Sequence, residues 1–141
     1  MLGWRAAINR AGQNENRDNA MKALPIALIL TAAVGLGLYL GWLYLRGVRK
    51  PVLNGIHILL GAGALEGLAV LLHGAPNGAV FVARSLGVAA LGLFAYAMFS
   101  GLTGPVFGRQ SRRAGEAILV THVSAGLIGF AVFLWWVARN R

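Results

Sequence analysis

The sequence predicts an all-α integral membrane protein, a four-helix up-down-up-down bundle, and three observations carry that reading. Apolar residues make up 57% of the chain and charged residues only 12%. The apolar residues gather in four uninterrupted runs rather than in amphipathic stripes, and the connections between the runs are short. Long apolar runs mean that the solvent is lipid. Short connections make neighbouring helices antiparallel.

The elements follow in order. Residues 1–22 are expected to form a polar N-terminal tail, since "MLGWRAAINRAGQNENRDNA" has no spanning pattern. Leu2, Trp4 and Ile8 give it at most the apolar side of an interfacial helix. Met21-Lys22 also reads as a start site, in which case the tail is an extension of the native chain. The transmembrane domain is then 23–141, with spans over 23–45, 52–73, 79–100 and 117–138. Each span has 22 or 23 residues, against the roughly 20 that a helix needs to cross. The first is too long for a signal-peptide core and lacks a cleavage pattern. It carries Gly37-x-x-x-Gly41, a close-packing motif, and Tyr39, Trp42 and Tyr44, which read as an interfacial aromatic belt. Arg84 lies near one end of the third span, where a long side chain reaches the headgroups. Trp135 and Trp136 close the fourth as belt residues.

Several function classes drop out. With no cysteine, disulfides, thiolate zinc sites and iron–sulfur clusters are excluded. There is no room for a soluble catalytic domain, so any chemistry sits inside the bundle or at its ends. The net charge of +9 lies in the tails and two loops, which suits headgroup contact and topology rather than nucleic acid. A stand-alone transporter is disfavoured, because four spans are few and no inverted repeat is evident. The loops "RGVRK" and "GRQSRR" share one face, and the positive-inside rule makes that face cytoplasmic. The basic tails at Arg5, Arg10, Arg17, Lys22, Arg139 and Arg141 pull the other way. The localisation expected is multi-pass, in a bacterial inner membrane.

The chemistry-bearing residues are few. His57 and His122 each lie five residues inside a span that starts on the basic-loop face, so both sit about 8 Å below the same surface. After His57 come Gly61, Ala64 and Leu68; after His122 come Gly126, Gly129 and Phe133. The offsets match, and they define one helical stripe in each span. Each histidine therefore has two small residues below it and then a large apolar one. Small residues open a slot beside the imidazole, and a flat macrocycle ligated by both rings needs such a slot. Diagonal helices of a square bundle lie within the span of two histidines with an iron between them. A packing or proton-handling pair, or a ligand such as a chlorophyll-type pigment or a metal ion, stays open on the same residues.

The four spans and the two histidine stripes resemble the small membrane-anchor b-type cytochromes of respiratory enzymes. That resemblance is architectural. It implies one haem b held through iron by His57 and His122, with Gly61, Ala64, Gly126 and Gly129 lining its site. It implies an electron-transfer subunit between a quinone pool and other subunits of a membrane oxidoreductase complex. The alternative is a non-catalytic anchor or assembly subunit with no cofactor. Arg109, Arg112 and Arg113 share the histidines' face, where they pair with haem propionates or only set topology.

Glu66 points away from His57, and His73 falls almost in line with Glu66. With Arg84 entering from the same loop, the three form a candidate quinone or proton site. The plainer expectation is that Glu66 is protonated or bonded inside the bundle, while His73 and Arg84 lie at the headgroups.

Overall fold

The computed structural model describes residues 2–73 and 81–139, with side chains described over 23–73 and 85–139. Four helices account for nearly all of it: α1 (Leu2–Leu45), α2 (Pro51–His73), α3 (Phe81–Gln110) and α4 (Arg112–Arg139). No strand occurs among the described residues. All four helices are long and apolar enough to cross a membrane.

The helix boundaries differ from the apolar runs, for physical reasons. α1 runs unbroken through the expected polar tail, where four alanines and three arginines are good helix formers whatever the solvent. It ends in a Schellman cap. Gly47 takes φ +74°, its N–H donates to the Tyr44 carbonyl (2.9 Å), and the Val48 N–H donates to the Leu43 carbonyl (2.9 Å). Pro51 then opens α2 at the position where a missing N–H costs nothing.

At the same face, α3 continues ten residues past the expected end at Ser100, and α4 begins five residues before Ala117. Ser111 alone separates them. Its Oγ accepts from the Ala114 N–H at 3.5 Å, capping α4. Arg112 Nε donates to Glu116 Oε1 at 2.8 Å one turn on. Hydropathy marks where lipid begins, whereas a capped helix continues into the headgroups. The turn is tight enough that a Cβ on Gly115 would lie 3.0 Å from Gly108 Cα.

Each helix packs on two others: α1 on α2 and α4, α3 on α2 and α4. Therefore α1 faces α3, and α2 faces α4, across diagonals. The core at the end away from the basic loops holds Ile26, Leu30, Ala64, Leu68, Leu72, Ala90, Phe94 and Phe133. Leu68 and Phe133 are fully buried there. The outer surface is apolar too, with Leu59 (73% exposed) and Phe99 (70%) facing out. In lipid that arrangement is stable, because helix association rests on close packing rather than on escape from water.

The two halves of the chain repeat one another. Four buried positions of α1, Ala23, Ile26, Leu30 and Ala33, match four buried positions of α3 64 residues later, Gly87, Ala90, Phe94 and Ala97, whereas buried Leu43 and Ser100 have no buried counterpart. On α2, His57, Ala64 and Leu68 match His122, Gly129 and Phe133 on α4, 65 residues later. The bundle is thus two similar helical hairpins in the same orientation. The repeat is parallel, so a search for inverted halves does not reveal it.

Candidate functional site

The hairpin repeat brings the two histidines together. His57 and His122 come from the diagonal pair α2 and α4, and their ring centres lie 6.0 Å apart with the planes at 80°. Each ring rests on a glycine of the preceding helix. A Cβ on Gly37 would lie 2.8 Å from His57 Cε1. A Cβ on Gly101 would lie 2.8 Å from His122 Cε1 and 2.9 Å from its Nδ1. No side chain larger than glycine fits either seat unless the imidazole moves.

One turn before each glycine stands an alanine whose carbonyl faces the ring. The Ala97 carbonyl lies 2.6 Å from His122 Nδ1. It also accepts from Ser100 Oγ at 2.9 Å. A carbonyl only accepts, so His122 carries its proton on Nδ1 and keeps the Nε2 lone pair free. In the first hairpin Ala33 occupies the equivalent place, but His57 Nδ1 falls short of hydrogen-bond geometry and is buried without a partner. Ser100 has no counterpart there, since Leu36 holds its position. Neither Nε2 has a hydrogen bond among the described residues.

Both rings line a cavity of about 390 Å³ that runs from mid-bundle to the basic face. That volume lies within the roughly 300–1,000 Å³ of small-molecule and cofactor pockets. Gly61 and Gly126 face the cavity, and a Cβ on either meets nothing within 4 Å. The other two small residues of the stripes lie below it. Ala64 is 1% exposed in the core, and a Cβ on Gly129 would press on Leu93 and Phe94 at 3.1 and 3.2 Å. They form the packed floor, with Leu68 and Phe133 beneath them.

The mouth is basic. Arg49 and Lys50 from the α1–α2 turn and Arg109 from α3 line the cavity with Tyr44 and Asn54. Of the three arginines expected here, only Arg109 does so. Arg112 turns outward, 91% exposed, and is paired with Glu116; Arg113 is exposed and does not line the cavity.

Other expectations shift. Of Gly37-x-x-x-Gly41, Gly37 packs closely on His57 of α2, while Gly41 faces the cavity and meets no neighbour. Tyr39, Trp42 and Tyr44 are exposed, as a belt requires, and the Arg46 guanidinium stacks 4.0 Å over Trp42. Trp135 is exposed, but Trp136 turns inward against Phe133, ring centres 6.0 Å apart. Glu66 and His73 lie on the outward face of α2, away from the cavity, so Glu66 is not bonded inside the bundle. The side chain of Arg84 lies outside the described residues.

The donor set limits what the histidines can hold. Among the described residues there is no group of three His, Cys, Asp or Glu side chains that could hold a metal ion. A bare zinc ion takes three or four protein ligands, and here there are two. A metal carried in a planar macrocycle already has its equatorial donors and needs only axial ones. His57 and His122, with ring centres 6.0 Å apart, are the residues that would hold such a group. Comparison of the chain with protein-family models, curated proteins and solved structures returns no match. The site's own chemistry therefore carries the functional reading.

Proposed function

We propose that this chain is the electron-transfer subunit of a membrane oxidoreductase, holding one haem b between His57 and His122 and relaying electrons between a quinone pool and a partner subunit. The observation that carries the proposal is the paired seat. Two imidazoles from diagonal helices stand 6.0 Å apart, each on a glycine, with the proton of at least one fixed on Nδ1 by a carbonyl. A carbonyl on Nδ1 is the arrangement that orients a ligating histidine and raises its basicity. The bound iron would supply one-electron chemistry.

The chain's own residues do the rest. Gly37 and Gly101 set the depth of the rings, and the Ala97 carbonyl fixes the tautomer of His122. Gly61 and Gly126 leave the space beside them open. Arg49, Lys50 and Arg109 offer cations to acidic substituents at the mouth, where such groups meet the headgroup layer. The apolar floor of Ala64, Leu68, Gly129 and Phe133 keeps water from the far end of the bundle.

A second reading draws on the ring contact itself. Two imidazoles edge to face also pack well as an apolar pair, and a non-catalytic anchor or assembly subunit would need nothing more. The open cavity beside both rings weighs against it, because a purely structural pair would be packed rather than left beside about 390 Å³ of space. An oxidised and a dithionite-reduced absorption spectrum of the purified chain separates the two. The haem reading expects a low-spin, bis-imidazole spectrum at one haem per chain. A colourless, well-folded protein that takes up no added haem overturns it.

A further inference from the structure

The outward face of α2 holds a feature that the cavity does not explain. Leu59, Gly63, Glu66, Val70 and His73 recur at helical spacing on one exposed stripe. Glu66 lies seven residues, or about 10 Å, from the His73 end of the candidate span Pro51–His73. Its carboxyl makes no hydrogen bond or ion pair among the described residues. His73 is two turns away on the same stripe, too far to reach. Beside Glu66 stands Gly63, where a Cβ would meet nothing within 4 Å, so the helix surface is notched next to the acid.

An acid aimed at lipid from that depth is strongly disfavoured, and ionisable groups in membrane helices normally face a partner. We infer that this face of α2 docks a transmembrane helix of a different protein, one carrying a lysine or arginine at the depth of Glu66. Charge decides between that occupant and a second copy of this chain. A twofold dimer across α2 would set Glu66 against its own counterpart. Nor does the described surface offer a cation at that depth: Arg46, Arg49, Lys50, Arg109, Arg112 and Arg113 cluster at the basic face, and Arg139 at the end of α4. Among the described residues the missing charge has no source within the chain, and the notch at Gly63 lets a foreign helix that carries it approach closely.

Site-specific photo-crosslinking in the native membrane tests this. A benzoylphenylalanine is placed at Leu59 or Val70, flanking Glu66, and at Tyr96 on the exposed side of α3 as control. The expected result is an adduct to a different membrane protein from the α2 positions only, with a Lys or Arg inside the crosslinked transmembrane segment. Glu66→Leu should reduce that adduct roughly tenfold or more. Glu66→Lys should restore it when the partner's cation is replaced by Glu. An adduct to a second copy, adducts to lipid alone, or an adduct that survives Glu66→Leu would overturn the inference. Haem content is measured in the same membranes. Because Glu66 faces away from the cavity, the docking inference and the haem reading fail independently.

Discussion

Gly101→Ala is the smallest change that tests the histidine seat. The added Cβ would lie 2.8 Å from His122 Cε1 and 2.9 Å from Nδ1. Ordinary carbon contacts begin near 3.5 Å, so the ring must retreat by about 0.6–0.7 Å. An untethered imidazole does this at little cost. His122 is held by the Ala97 carbonyl at 2.6 Å, so retreat strains or breaks that bond. Losing it costs about 0.5–1.5 kcal/mol, and residual overpacking about 1–3 kcal/mol. Since 1.4 kcal/mol is tenfold, haem affinity should fall by roughly tenfold to a thousandfold. Titration of haem into apoprotein in detergent, followed at the Soret band, measures this. Gly35→Ala on α1, where a Cβ meets nothing within 4 Å, should leave the affinity unchanged. If Gly101→Ala binds haem as tightly as the parent while remaining folded, the seat is not a positioning device and the reasoning fails.

Other outcomes follow from the same geometry. Gly126→Leu should expel haem with the bundle intact, because it fills the cavity; Gly129→Leu should instead lower thermal stability, because it collides with Leu93 and Phe94. Haem content and a melting curve for each variant distinguish the two. Neutralising Arg49, Lys50 and Arg109 together should weaken haem retention and reduce its salt dependence, whereas Arg112→Ala should change neither, its guanidinium being exposed and paired with Glu116; dissociation rates at low and high salt check this. His73→Ala should leave haem content intact, since His73 lies on the outward face of α2.

The bundle was legible in the sequence because lipid demands about 20 apolar residues per crossing, and all four spans answer that demand. The ends were less legible. Hydropathy says nothing about a capped helix that continues into headgroups, so the apolar runs imply an α3–α4 connection wider than the single residue Ser111. The histidine pair was legible from its matched stripes, because equal offsets on parallel helices place side chains at equal depth. Its seats were not, although Ala33-x-x-x-Gly37 and Ala97-x-x-x-Gly101 stand 64 residues apart in plain view. Gly37 attracted a pairing with Gly41 on its own helix, while its contact is the imidazole of the next one. The direction of Glu66 was half legible. Periodicity set it opposite His57, but whether opposite meant a neighbouring helix or lipid depended on which helices pack on α2.

The central claim is that His57 and His122 are the two axial ligands of one haem, and ligand replacement tests it most directly. Each is changed singly to Ala in the full chain, and haem per folded protein is measured by pyridine haemochrome assay, with the spin state read by electron paramagnetic resonance. Either change is expected to remove most of the haem and to leave any remainder high-spin. Full haem content with an unchanged low-spin signal in both single variants would contradict it.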